Sequence, residues 1–352
     1  MCYNVLCDKY ATRQVYGYCP TWALNWEYRR KGIMDEIRHY SADIISLQEV
    51  EMEQYHGFFL PELKKDGYDG IFAPKSRART MAESERRHVD GCAIFFRTSK
   101  FALLRERLVE FNQLAMANAD GSEDMLNRVM TRDNIGLAAL LQFQEGALDY
   151  GTNWITVCSL LLIASAAGIC QRPCYNAATA ESRSLIQQLP PLLAGAHRKS
   201  GQETPTVPLL LCGDLNSLPD SGVIEYLKKG RVSADHKDFK SLGYKSCLRK
   251  MCQETDSLIG NSYTHPFKIQ EAYPDGTMPY TNYTCDFKGV IDYIFFSRSH
   301  LSVLGVLGPL DPQWMQENKV VGCPHPHVPS DHLPLLAQFE MPLTTNGLLQ
   351  RR

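Results

Sequence analysis

What most restricts the fold of this chain is the recurrence of short apolar runs, rich in β-branched or aromatic residues and each flanked by polar or turn residues. They are "YNVLC", "DIISLQEV", "DGCAIFFR", "IGLAALLQF", "WITVCSLLLIA", "VPLLLCGDLN", "GVIDYIFFS" and "HLPLLAQFE". Runs of this length and composition predict strands. Between them lie segments with helical spacing: Asn25 to Tyr40, with Ile33 and Ile37 four residues apart, and Ser221 to Lys229 after the turn "LPDSG". The pattern is mixed α/β throughout. No internal repeat and no long flexible linker divides it, so the expected partition is one large domain over residues 1–342 with a tail at 343–352. Lys229 to Tyr283, poorer in long apolar runs, reads as an excursion of loops and short helices beside the active face.

At 352 residues and 44% hydrophobic, the chain can bury a large core. A net charge of -2 argues neither for nor against RNA, since contact with phosphates then rests on a local patch. The stretch "KSRARTMAESERRH", Lys75 to His88, either tracks a phosphate backbone or forms a solvated loop with its own acids. Twelve cysteines are spread along the chain without a CxxC pair, and the opening "MCYNVLCDKY" reads as strand rather than leader. Reduced thiols in the cytoplasm or nucleus are expected. "CPHPH", Cys323 to His327, lacks a second ligand pair and reads as a Pro-rich loop rather than a zinc site. "WITVCSLLLIASAAGIC" falls short of the roughly 20 apolar residues of a membrane helix and predicts a buried strand.

Several apolar runs carry or end in a polar group. Asn4 sits in the first, Glu49 follows "DIISLQ" in the second, Asp214 and Asn216 follow "LLLC", Asp292 sits in "GVIDYIFF", and Asp331 and His332 precede "LPLLAQF". In a strand, side chains two apart share a face, so Asp214 and Asn216 are expected to point the same way where the chain leaves its sheet. Any one of these acids has a plain alternative as a solvated or capping group. Together, carboxylates, an amide and a histidine at strand ends suit a hard divalent cation and a phosphate; magnesium needs only one or two carboxylates, with water and substrate oxygens completing its shell.

The order of these residues, Asn in the first strand, then "QE", "GDLNS", "IDYIF" and "SDH", resembles the exonuclease-endonuclease-phosphatase superfamily of magnesium-dependent phosphodiesterases. "DIISLQEVE", "HVDGCAIFFR", "FNQLAMAN", "MLNRVMTRDNIG", "LCGDLNSLPDSGV", "MPYTNYTCDFKGVIDYIFFS" and "GCPHPHVPSDH" carry a closer resemblance to its branch of catalytic deadenylase subunits of the carbon catabolite repression-NOT complex. The resemblance implies an α/β fold, a two-sheet β-sandwich flanked by helices, with the site where the sheets' loops converge. It implies a Mg2+-dependent poly(A)-specific 3′-to-5′ exoribonuclease that releases nucleoside monophosphates. Carried over by position, Glu49 is the principal metal ligand and Asn4 helps to hold the metal-bound phosphate. Asp214 and Asn216 position or activate water and contact the scissile phosphate; Asp292 and His332 complete the metal and transition-state contacts, and Asp331 orients His332. Phe287 is the aromatic on which a terminal adenine stacks, against its alternative as a core phenylalanine.

The resemblance fails from 144 to 206, where the family's Asn-Ala-His and His-Trp-Asp-Pro segments are replaced by "LLLIASAAGICQRPCYNAATAES". That stretch is either divergent or a misassigned exon or reading frame. A catalytically impaired nuclease fold, serving as an RNA-binding or scaffold protein, is therefore the second expectation. The implied partners are poly(A) RNA and other CCR-NOT subunits, without a membrane. The leucine-rich repeat through which full-length relatives dock is not in this chain, and the implied compartments are cytoplasm and nucleus.

Overall fold

The computed structural model describes residues 1–113, 133–144, 154–161, 207–238, 261–265 and 267–341. Most of the divergent 144–206 stretch, part of the 229–283 excursion and the 343–352 tail lie outside the described residues. In chain order the strands are β1 (Cys2–Asn4), β2 (Ile44–Glu51), β3 (Tyr68–Pro74), β4 (Asp90–Arg97), β5 (Phe101–Glu110), β6 (Ile135–Phe143), β7 (Trp154–Leu161) and β8 (Leu209–Asp214). There follow β9 (Arg231–Ser233), β10 (Ser262–Thr264), β11 (Ile269–Glu271), β12 (Asn282–Tyr283), β13 (Lys288–Gly289), β14 (Asp292–Ser297), β15 (Ser302–Val306) and β16 (Ala337–Glu340). One sheet has the order β1-β2-β4-β3 and the other β11-β14-β8-β7-β6-β5; β9 with β10, β12 with β13 and β15 with β16 form small ribbons.

Alternation along β4 explains the layering. Cys92, Ile94 and Phe96 face the second sheet's Leu137, Ala139, Leu141, Val157 and Ile294, whereas Ala93 and Phe95 lie with Ile33, Met34 and Ile37 of the helix Trp26–Tyr40. Both faces are covered, so the strand is apolar at nearly every position. The expected two-sheet sandwich with helices outside is the observed one. Asn25 caps the helix, its Oδ1 accepting from the Glu27 N–H at 2.8 Å, and Ser221 likewise caps Gly222–Lys229. No described helix is long and apolar enough to cross a membrane.

Two features tie this frame to the mouth of the sandwich. Arg29, fully buried, donates from Nε to Leu24 O at 3.0 Å and from Nη1 to Val5 O at 3.0 Å and Pro329 O at 3.2 Å. It thereby joins the exit of β1 to the loop that carries Asp331 and His332. Leu335 exchanges two 2.8 Å backbone bonds with Cys2, so "HLPLLAQFE" is regular strand only at Ala337–Glu340, its earlier residues being drawn around the site.

The Tyr3 hydroxyl donates to Glu36 Oε2 at 2.7 Å. Burial pushes the Glu36 carboxyl up to about 7, although that hydrogen bond opposes the shift. A carboxyl raised on folding stabilises fully below its unfolded pKa, and this contribution is lost as pH rises through about 7. The wild-type protein is expected to lose stability between about pH 5 and pH 8 by on the order of 1 kcal/mol more than Glu36→Gln. Paired thermal unfolding curves across that range check it; parallel pH profiles would contradict it.

Candidate active site

The polar ends of β1, β2, β8 and β14 meet the 330–332 loop at one end of the sandwich. Asp214, the last residue of β8, is the cross-strand partner of Asp292, the first of β14. Two carboxylates directly opposite repel, and both are buried. Burial pushes the Asp214 carboxyl well above the ordinary range, with Asp292 adding to the shift and His332 opposing it. His332 Nδ1 lies 2.9 and 3.0 Å from the two Asp292 oxygens, and its Nε2 lies 3.8 Å from Asp214 Oδ2. Burial disfavours the imidazolium, but Asp292, Asp331 and Asp214 together raise its pKa well above the usual value. The cation therefore compensates the facing acids. Thr281 Oγ1 completes the support, donating to Asp292 Oδ2 at 2.7 Å and accepting from the Asp292 N–H at 3.0 Å.

Asn4 stands beside this group, donating from Nδ2 to Asp214 Oδ2 at 3.2 Å while its Oδ1 accepts from the Leu6 N–H at 3.0 Å. Its hydrogen bonds thus run to Asp214 and to its own turn, not toward Glu49. Asn216 differs from the strand-face expectation. The strand ends at Asp214, whose Oδ1 accepts from the Asn216 N–H at 2.8 Å, and Asn216 turns into the left-handed region at φ 44°. Asp214 is consequently held from two sides.

Glu49 interrupts the β2–β4 ladder, where the register shifts between Gln48 and Val50, and it has φ 59°. Such a bulge re-aims a side chain out of the alternation. Its Oε2 accepts from the Cys7 N–H at 3.0 Å. Burial raises the Glu49 carboxyl, Lys75 opposes this, and Asp90 and Asp331 add to it. Leu6, at φ 55°, follows Asn4, so three non-glycine residues with positive φ adjoin the site at the ends of β1, β2 and β8. Backbone strain held in this way concentrates at functional sites.

Asp331 corrects one expected role. Its Oδ2 accepts from the Tyr16 hydroxyl at 2.9 Å and from Asn282 Nδ2 at 3.0 Å, whereas Oδ1 is buried without a hydrogen-bond partner. The residue that orients His332 is Asp292; Asp331 acts on that ring only through its charge. Tyr16 and Asn282 were not singled out by sequence, because their partner is distant in the chain.

Phe287 is not a core residue. It is half-buried at the turn of the β12–β13 ribbon, where its N–H donates to Thr284 Oγ1 at 3.0 Å. The ring lies against Gly289, at which a Cβ would stand 2.6 Å from Phe287 Cζ and 3.1 Å from Leu218 Cδ2. The ring thus packs on this ribbon at Gly289, and the ribbon's base, through Thr281 and Asn282, holds Asp292 and Asp331.

The basic stretch Lys75–His88 proves largely structural. Lys75, Lys9 and Arg77 converge on the fully buried Asp90, with Lys75 Nζ 2.8 Å from Oδ2 and Lys9 Nζ 2.6 Å from Oδ1. Arg79 pairs with Glu110, and Arg87 and His88 face Glu53.

Asp214, Asp292 and His332 present ligand atoms within 4.8 Å of one another, a spacing that could hold a metal ion. Glu49 and Asp331 offer further hard oxygen donors beside them. The buried carboxylates of Asp214 and Asp292, facing each other across two strands, together with Glu49 and the unpartnered Asp331 Oδ1, make a donor set that fits a hard divalent cation.

Residues 1–332 match the model of the Endonuclease/Exonuclease/phosphatase family. A Danio rerio protein named "CCR4-NOT transcription complex subunit 6-like" is 56% identical over 349 residues, covering 97% of this chain and 62% of that protein. The Schizosaccharomyces pombe "CCR4-Not complex 3'-5'-exoribonuclease subunit Ccr4" is 38% identical, covering 97% of this chain and 49% of that protein. The chain thus spans about half to two thirds of the length of these relatives. Among solved structures, ANGEL2, a 2′,3′-cyclic phosphatase, superposes with a TM-score of 0.73 at 25% identity, covering 96% of this chain and 94% of that one. The strand-end acids, the sandwich that gathers them and these matches agree: the chain belongs to the Endonuclease/Exonuclease/phosphatase family.

Proposed function

We propose that this chain is a Mg2+-dependent 3′-to-5′ exoribonuclease that shortens poly(A) and releases nucleoside monophosphates, acting with other subunits of the CCR4-NOT complex in cytoplasm and nucleus. The observation that carries the reading is the half-exposed Phe287 ring on the same ribbon that steadies Asp292 and Asp331. A terminal base stacked there leaves its phosphate among the acids, and stacking accepts a single-stranded end where a paired one is excluded. A relative named as a 3'-5'-exoribonuclease at 38% identity supports the same reaction class, and one named as a CCR4-NOT subunit at 56% supports the complex.

Glu49 would be the principal residue to hold magnesium and Asn4 would help to hold the metal-bound phosphate, while the unpartnered Oδ1 of Asp331 is a further oxygen donor that the geometry adds to that set. When bound, the ion neutralises charge that spreads over the phosphoryl oxygens during in-line displacement. Asp214, steadied by the Asn4 amide and the Asn216 N–H, orients the attacking water and accepts its proton. His332, kept cationic by Asp292, donates from Nε2 toward the developing negative charge.

A second reading is a binding protein with a disabled centre, favoured by the replaced histidine segment within 144–206. Loss of one transition-state donor costs about 100- to 1000-fold in rate. The experiment compares A-tailed RNA, duplex DNA and inositol phosphates as substrates of wild type and Phe287→Ala. Selective shortening of the A-tailed RNA, with KM raised roughly tenfold in Phe287→Ala and kcat little changed, is expected. Equal cleavage of duplex DNA would refute the substrate assignment, and tight oligo(A) binding without turnover would favour the disabled form. Imaging of the tagged protein checks the compartments; confinement to a membrane organelle would contradict them.

A further inference from the structure

The Asp331 carboxylate is held asymmetrically. Tyr16, far away in the chain, and Asn282, on β12, both donate to Oδ2, at 2.9 and 3.0 Å. Oδ1 receives nothing, although Asp331 is only 5% exposed. A buried carboxylate oxygen without a partner is costly, and native folds leave few of them without a further group to fill the position. Two donors on one oxygen also fix the plane of the carboxylate, and with it the direction of the other oxygen's lone pairs. Backbone bonds reinforce the placement, since the Tyr283 N–H donates to Asp331 O at 2.9 Å and Asn282 bridges to His332.

The charges nearby identify the ligand class. The carboxylates of Asp214, Asp292 and Glu49 gather at the same end of the sandwich as Asp331. Several buried carboxylates beside an oxygen with no partner call for a cation rather than an anion. Magnesium or manganese, which demands near-octahedral geometry from few protein oxygens, is more sensitive to the angle of a carboxylate than a flexible calcium shell is.

We propose that Tyr16 and Asn282 are positioning residues that present Asp331 Oδ1 to a divalent cation, and so set the affinity of the site for metal before any RNA arrives. This deepens the proposed nuclease reading and rests on its metal assignment. Tyr16 suits the task because its buried hydroxyl donates directly to Asp331 Oδ2 at 2.9 Å. Tyr18 supplies the contrast: it stands 6.2 Å from Tyr16 between ring centroids, yet its hydroxyl donates to Cys323 O instead.

The test uses the whole chain, Mn2+ as probe and electron paramagnetic resonance of free Mn2+ as readout, with no RNA present. Tyr16→Phe is expected to weaken Mn2+ binding roughly tenfold, as loss of a group that orients a metal ligand does. Asn282→Ala provides an independent second removal with the same expected direction. Tyr18→Phe, which deletes the hydroxyl of the half-buried neighbouring tyrosine, is expected to hold Mn2+ within about twofold of wild type. Thermal midpoints of the tyrosine variants are expected to fall alike, separating positioning from general loosening. Unchanged Mn2+ affinity in Tyr16→Phe and Asn282→Ala would overturn the proposal while leaving the metal site intact, and an equal loss in Tyr18→Phe would overturn it too. A wild-type protein that binds no Mn2+ would overturn the metal reading itself.

Discussion

Asp214→Ala is expected to reduce release of nucleoside monophosphate from A-tailed RNA by at least about 1000-fold, without unfolding the protein. The residue lies where several contacts meet, with Asn4 Nδ2, the Asn216 N–H and the charge of His332 all on its two oxygens. No other described carboxylate has that position at the end of β8. The variant also removes one of two buried acids that face each other across β8 and β14. Its thermal midpoint is therefore expected to equal or exceed that of wild type, because the repulsion stored at the site is relieved. Single-turnover kinetics beside calorimetry reads both. Activity within tenfold of wild type would remove Asp214 from the centre, and a collapsed midpoint would make its role structural.

The second large effect is on stability. Asp90→Asn is expected to destabilise by roughly 3–5 kcal/mol, because it leaves Lys75, Lys9 and Arg77 converging on a buried site without a counter-charge. Burial works against the Asp90 charge, yet Lys75, Lys9 and Arg77 hold its carboxyl well below the usual range. Urea unfolding measures the loss. Adding Lys75→Met, which removes the most buried of the three cations, is expected to restore more than half of it. A loss below about 1 kcal/mol would show that solvent screens this network as it does surface pairs.

The strands that sequence exposes well are those covered on both faces. β2, β4, β6 and β8 are nearly continuous apolar runs, and the same burial that makes them legible makes them the centre of the two sheets. β5 was missed because "LLRERL" is charged and exposed along an edge, and β3 because "YDGIFAP" mixes glycine and proline into its seven residues. Asp214 and Asp292 could be read as strand ends, but their being opposite each other is a matter of register between strands remote in sequence. Strict alternation misplaces both Glu49, on a bulge, and Asn216, beyond the strand in a left-handed turn. The Tyr16–Asp331 contact spans 315 positions, and nothing local in "VYGYCP" announces it. The asymmetry of Asp331 was likewise beyond spacing arguments, which supply a candidate acid but not the direction in which its oxygens are satisfied.

The most direct measurement follows a 5′-labelled RNA with an oligo(A) 3′ end, incubated with the wild-type chain in Mg2+ or in excess chelator, with the released product identified by mass. The account predicts stepwise shortening from the 3′ end, release of adenosine 5′-monophosphate and complete arrest by the chelator. Internal cuts, a nucleoside 3′-phosphate product, or shortening that persists in chelator would contradict it.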